Sequence, residues 1–364
     1  MRAVRGCCAI VALAAITLCA LPLRVAAQVP STDVARLARE LLERTYAADA
    51  PGAAVLVARG DEVLLRDARG AADIETGRAL TPDDRFQIAS LTKQMVAAGV
   101  LTLVEAGKVS LDDPLSKYVQ GFRHGDRIVV AQLLNHTSGI RNFPDADVLQ
   151  AKLPQNASTD QLIDAFKDQP PDFAPGERWA YADIGYVLAG KIIETVTGRP
   201  WHVYVAQTFF LPLGMTHTCY CADSATAAGY AMEAGNARRV GPTNISWEHA
   251  AGALVSTVDD LLKWNRALHE GRIVAPRLYR RMVTPQGRAA DGGMHYGFGI
   301  DHTPLHGQEQ LSHSGYVDGF TSHLLYMPGP RLTVVVLRNG SGAGEGPAET
   351  ARKLASAAIG LPSP

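Results

Sequence analysis

Strand-length apolar runs stand near both ends of this 364-residue chain and helical patterns fill the middle, so any sheet it builds must pair distant segments. Ala53 to Ala58 is an apolar run short enough for a buried strand. Arg59-Gly60-Asp61 turns the chain into a second, Glu62 to Asp67. The distal group is Tyr296 to Ile300, Leu311 to His313, Ser322 to Met327 and Leu332 to Leu337, with Pro328-Gly329-Pro330-Arg331 as the turn between the last two. Ser31-Thr32-Asp33 can cap a helix running to about Tyr46, apolar at Val34, Leu37, Leu41 and Leu42. Pro347 opens a closing helix with Leu354 and Ile359 inward. Between the two groups, Val130 to His136, Ile184 to Val196, Trp201 to Phe210 and the segment capped by Thr257 read as helices, and Gly70 to Asp84 as loop. This order predicts a sheet whose strands come from both chain ends, with an inserted, mostly helical lobe.

The first 27 residues stand apart. Arg2 and Arg5 precede a nearly unbroken apolar run from Cys7 to Leu23, and Arg24-Val25-Ala26-Ala27 follows, which is the pattern of a secretory signal cleaved after Ala27. An uncleaved anchor is the alternative, although the run is short and broken for a membrane span. Cleavage removes three arginines and no acid. It leaves 32 basic and 36 acidic side chains, a net charge of −4, which argues against a nucleic-acid partner. The mature protein is expected in the periplasm or outside the cell, with no stable membrane span. Only Cys219 and Cys221 remain in it. Along an extended chain their side chains would lie about 6–7 Å apart, so no bond between them is expected.

Three polar constellations could carry chemistry. The first is Ser90-Leu91-Thr92-Lys93, where three residues of helical spacing put a hydroxyl and an amine on one face. A serine hydroxyl needs a base, and a shielded lysine can serve as one. Ser90 lies at a helix start, so its N–H can form half of an oxyanion hole. The second is Tyr181-Ala182-Asp183, where Lys93 could hold down the phenol's pKa. The third is His313-Ser314-Gly315-Tyr316, a glycine-bearing strand edge that lets a substrate approach the backbone. There His313 could donate a hydrogen bond or a proton, and the N–H of Tyr316 could complete the oxyanion hole. Taken one at a time, each also reads as ordinary structure: a chance pattern, a buried aromatic, a glycine turn.

Together and in this order the three stretches resemble the motifs of the penicillin-recognising serine hydrolases, the group of class C β-lactamases, D-alanyl-D-alanine carboxypeptidases, D-amino-acid peptidases and related esterases. Leu133-Leu134-Asn135-His136-Thr137-Ser138-Gly139-Ile140 and Phe173-Ala174-Pro175-Gly176-Glu177 are similar to two further signatures of that group, and the likeness spans about residues 31–361. The resemblance implies an α+β fold with an antiparallel β-sheet flanked by helices and a mostly helical second lobe. Residues 28–361 would form one catalytic domain, with 31–88 and about 290–361 as the α/β lobe and about 89–289 as the helical lobe. It implies acylation of Ser90, proton transfer shared by Lys93 and Tyr181, an oxyanion held by the N–H groups of Ser90 and Tyr316, and substrate binding by Asp183, Ser314 and Gly315. No cofactor or metal is implied.

Two departures bear on substrate. The second motif usually ends in asparagine, and an ionised Asp183 cannot donate a hydrogen bond to a substrate carbonyl. The third usually begins with lysine in true β-lactamases, and His313 is largely neutral near pH 7. Both weaken the grip on a substrate carboxylate. The first expectation is a β-lactamase or carboxypeptidase type of activity on a small-molecule, peptide or ester substrate. An esterase or D-amino-acid peptidase or amidase is the alternative, and an inactive envelope binding protein is the rival from another class. The lipase pattern Gly-x-Ser-x-Gly and the zinc pattern His-Glu-x-x-His are both absent. Oligomeric state is not legible in the sequence.

Overall fold

The computed structural model describes residues 29–142, 153–154, 156–233, 235–241, 243–291 and 295–364. The expected signal segment, residues 1–27, lies outside the described residues. Two strands near the amino terminus, β1 (Ala53–Arg59) and β2 (Glu62–Arg69), join four from the carboxyl-terminal part: β3 (Asp301–His302), β4 (Leu311–Val317), β5 (Phe320–Met327) and β6 (Leu332–Arg338). They form one six-stranded sheet in the order β2-β1-β6-β5-β4-β3, antiparallel throughout. The central pairing joins the two chain ends, with Val55 opposite Val336 and Leu56 opposite Val335.

β1 is apolar from Ala53 to Ala58 because it is covered on both faces. Successive side chains in a strand point to opposite faces. Ala53, Val55 and Val57 therefore pack with helix α1 (Ser31–Thr45) and the closing helix α6 (Pro347–Ala358), through Val34, Ala38, Leu42 and Leu354. Ala54, Leu56 and Ala58 face the other way, into the larger core that continues into the helical lobe.

That lobe is centred on α2 (Thr92–Glu105), in which every residue from Thr92 to Leu101 is buried. A helix apolar all round belongs in the middle of other helices. Around it lie α3 (Asp183–Thr197), α4 (Ile245–Gly252) and α5 (Val258–His269), the last capped by the Thr257 hydroxyl as its sequence suggests. Among the described residues no helix is long and apolar enough to cross a membrane.

Several local expectations are corrected. Tyr296 to Ile300 is a turn rather than a strand: the Gly297 N–H donates to the Ile300 carbonyl, and Gly299 sits at φ +73° against the backbone of Lys93. The sheet edge is only Asp301–His302. Gly70 to Asp84 contains a small hairpin, Ala71–Asp73 with Arg78–Ala79. The helix beginning at Trp201 is regular only to Val205 and widens to a π-type turn over Ala206–Phe210. Cys219 and Cys221 are joined as a disulfide across a Cα–Cα distance of 5.4 Å. The expectation that they stay apart assumed a fully extended chain, and the two residues lie closer together than that spacing here.

Candidate active site

Ser90 is delivered to the junction of sheet and helical lobe by a short, tightly held lead. Phe86–Gln87 pairs with Val255–Ser256, and the Ile88 N–H donates to the Leu254 carbonyl at 2.9 Å. Ala89 then adopts φ +48°, a left-handed conformation that is strained for any residue but glycine. The reversal presents Ser90 just ahead of α2.

Strand β4 closes against this turn. The Ser322 hydroxyl donates to the Ile88 carbonyl at 2.7 Å, and Gly315 faces Ser322 across the β4–β5 ladder. A Cβ on Gly315 would lie 2.4 Å from the Ile88 carbonyl oxygen and 2.4 Å from the Ser322 hydroxyl. Glycine is required here by contact. Gly315→Ala is therefore expected to push β4 away from Ser90. The strain should cost about 1–3 kcal/mol of stability, and a displacement near 1 Å should cost about 100-fold in kcat/KM. Thermal unfolding and steady-state kinetics on the purified variant check both.

Lys93 is fully buried beneath Ser90. Its ammonium donates to Ser90 Oγ at 2.9 Å, to Asp183 Oδ1 at 2.6 Å and to the Ala251 carbonyl at 2.8 Å, so its three N–H groups have three acceptors. Burial alone would push the amine's pKa down; Asp183 and Tyr181 more than offset this, and the net shift is upward. Asp183, the first residue of α3, is held in turn by Asn142. Its N–H donates to Asn142 Oδ1 at 2.7 Å, and Asn142 Nδ2 donates to Asp183 Oδ2 at 3.3 Å.

The Tyr181 phenol reaches both Ser90 and Lys93, and its ring centroid is 4.9 Å from the Lys93 nitrogen. Burial raises its pKa, Lys93 opposes the rise and Asp183 adds to it, so the phenol is protonated at rest. The segment that carries it is clamped on both sides by His136. The Ala180 N–H donates to the His136 carbonyl at 3.0 Å, and the Ala182 N–H to its Nδ1 at 3.2 Å. The two further signature stretches serve this clamp: the Gly176 N–H bonds the Thr137 carbonyl, and a Cβ on Gly139 would strike the Phe173 carbonyl at 2.1 Å.

His313 is nearby, but both its ring nitrogens are engaged. Nδ1 lies 2.6 Å from the Ser314 carbonyl, which can only accept, so Nδ1 carries the proton. Nε2 then accepts from the Tyr296 hydroxyl at 2.7 Å. Burial, with help from the Lys93 charge, pushes its pKa down to about 3, so the ring is neutral. Its observed contacts are those of a positioning group for Tyr296 and β4. Ser314 is exposed at the rim with its hydroxyl 2.8 Å from His323 Nδ1, and Tyr316 projects into solvent beside it.

These elements wall a cleft of about 440 Å³. Ser90, Tyr181, Asp183, His313, Gly315 and Tyr316 all border it, and Lys93 reaches it through Ser90. Sequence reasoning missed three other residues on its wall: Glu248, Tyr296 and Asp301. Burial, aided by the charge of Asp183, raises Glu248 to about 7, and burial raises Asp301 to about 7. Among the described residues no arginine or lysine borders the cleft.

A model of the family described as beta-lactamase matches residues 34–359. A D-aminopeptidase of Brucella canis is 29% identical over 317 residues, covering 86% of this chain and 60% of that relative; the chain thus spans about three fifths of its length. Among solved structures, the octameric penicillin-binding protein homologue from Pyrococcus abyssi superposes with a TM-score of 0.78 at 28% identity, over 91% of this chain and 78% of that one. A D-stereospecific amidohydrolase from a Streptomyces species gives a TM-score of 0.76 at 27% identity, over 89% and 98%.

Proposed function

The chain belongs to the β-lactamase family of serine hydrolases, and from that premise we propose that it cleaves amides of D-amino acids bearing a free amino group, as an aminopeptidase or amidase. The observation that carries this is the charge of the cleft wall. Asp183, Glu248 and Asp301 border it, and Lys93, the one cation beside it among the described residues, has all three N–H groups committed. Such a wall repels the carboxylate of a β-lactam or of a carboxyl-terminal D-alanine and attracts an ammonium group. The β-lactamase or carboxypeptidase activity expected first from sequence gives way to the alternative. The D-stereochemistry is taken from the similar D-aminopeptidase and D-stereospecific amidohydrolase.

Ser90 Oγ attacks the amide carbonyl, forming a C–O bond while its proton passes into the group Lys93–Tyr181–Asp183. With Lys93 charged and Tyr181 protonated, the member of that group able to take a proton is Asp183, paired to Lys93 at 2.6 Å. Lys93 can therefore hand a proton to Asp183 as it receives one from Ser90, and the group acts as a unit. The N–H groups of Ser90 and Tyr316 receive the oxyanion. Collapse breaks the C–N bond, and the same group returns the proton to the leaving amine. Water then releases the acid from Ser90.

A substrate panel tests this. One enzyme preparation is assayed on D-alanine p-nitroanilide, its L-enantiomer, nitrocefin and an acylated D-Ala-D-Ala peptide. The D-amino-acid anilide is expected to have the highest kcat/KM, and faster turnover of nitrocefin or release of carboxyl-terminal D-alanine would refute the reading.

A further inference from the structure

We propose that Glu248 is the specificity residue that binds the α-ammonium group of the substrate's acyl residue. The proposal rests on the amino-acid amidase reading above and assigns its discriminating contact to one side chain.

Position is the first argument. Glu248 and Ala251 lie three residues apart on α4, and the Ala251 carbonyl is bonded to the Lys93 ammonium, itself bonded to Ser90. The kinked turn between them presents both the carbonyl that holds Lys93 and a carboxyl that borders the cleft. The local backbone is built for this. His249 breaks the helix at φ +43° and ψ −139°, its ring anchored 2.9 Å from the Thr159 hydroxyl. Gly252 leaves the space that the carboxyl occupies: a Cβ there would lie 2.7 Å from Glu248 Oε2.

Availability is the second argument. The carboxylates around Ser90 are not equivalent. Asp183 is taken by Lys93 and Asn142. The Oδ1 of Asp301 also lacks a hydrogen-bond partner among the described residues, but that oxygen is sealed from solvent and so is not presented to a ligand. Glu248 is half-buried on the cleft wall, and among the described residues its carboxyl has no hydrogen-bonding partner. The charged groups that influence it are Asp183, Lys93 and Asp318. Two acids outweigh one cation that is already paired. A compact donor of positive charge satisfies such a carboxyl, and a substrate α-ammonium has three N–H donors one carbon from the scissile carbonyl.

A pH signature follows. Burial, and then the charge of Asp183, raises the Glu248 carboxyl to about 7. Below that pH it is neutral and binds an ammonium weakly; above it the carboxylate forms. For a free-amine substrate kcat/KM should therefore rise as pH increases through about 7, and an otherwise identical substrate lacking the amine should lack this limb.

The test compares D-alanine p-nitroanilide with propionic acid p-nitroanilide, which differs only in the missing amine. Wild-type enzyme is expected to favour the amine. Glu248→Gln keeps the shape and removes the charge. It should lower kcat/KM on the alanine substrate about 10- to 100-fold more than on the propionyl substrate, chiefly through KM. Glu248→Asp should restore part of the difference. A wild-type preference that survives unchanged in Glu248→Gln would overturn the assignment and leave the amidase reading standing. Absence of any wild-type preference for the amine would overturn both.

Discussion

Replacing Ser90 by alanine is expected to lower kcat on D-alanine p-nitroanilide by about 10⁴-fold or more, and to abolish covalent labelling by a fluorophosphonate probe. In the proposed mechanism the groups around Ser90 act through its Oγ. Asp183 orients Lys93, Lys93 donates to Ser90, and His136 fixes the segment carrying the phenol that reaches it. Without the oxygen those groups surround an empty position. What survives is binding and oxyanion stabilisation, which act on water attack alone. The variant should fold normally, because the side chain faces the cleft and its removal leaves the Lys93 ammonium still bonded to Asp183 and the Ala251 carbonyl. Turnover at the wild-type rate would mean that another nucleophile does the chemistry. Mass spectrometry of the labelled protein locates the adduct independently of rate.

Lys93→Met is expected to lower kcat by about 10³-fold, within the range for loss of a general acid–base group, while lowering stability by about 1–4 kcal/mol, less than is needed to unfold the protein. The two halves have separate causes. For activity, the lysine is the link between Ser90 and Asp183. For stability, a buried ammonium is replaced by an apolar chain of similar length, which removes a desolvated charge. Removing one partner of a fully buried pair usually costs about 3–5 kcal/mol, a cost reduced here because Asp183 is partly exposed. The Ala251 carbonyl also loses a donor, worth about 1–3 kcal/mol if no water replaces it. Asp183 keeps Asn142 and partial exposure to solvent, so it is not stranded. Loss of activity with retained thermal unfolding assigns Lys93 to catalysis. Loss of both in proportion would make it a structural residue.

The frame of the molecule was readable because it rests on local patterns. β1 is apolar from Ala53 to Ala58 for a reason visible in the structure, namely cover on both faces, and the helix capped by Thr257 begins where the hydroxyl predicts. Ser90, Lys93 and Tyr181 were readable because their residue types are rare in such company and fall in a fixed order. Glu248 and Asp301 carried no such signal. Each is one acid among 36, and each reaches the cleft through long-range packing: one by a helix break at His249, the other by a sheet edge shortened by the turn at Gly297 and Gly299. A histidine at positive φ breaks no rule that a pattern of letters can express. The cysteine pair failed for the same reason, since spacing along the chain does not say whether the chain is extended.

Placing β1 beside β6 has a consequence for how the protein comes into being. The middle of the sheet joins segments about 280 residues apart, so the last part to leave the ribosome completes what one of the first parts began. Until Leu332–Arg338 is made, Ala53–Arg59 has one unmet edge and two greasy faces, and the nascent chain cannot close its core. The sheet can therefore close only late in synthesis, when both ends are present to meet.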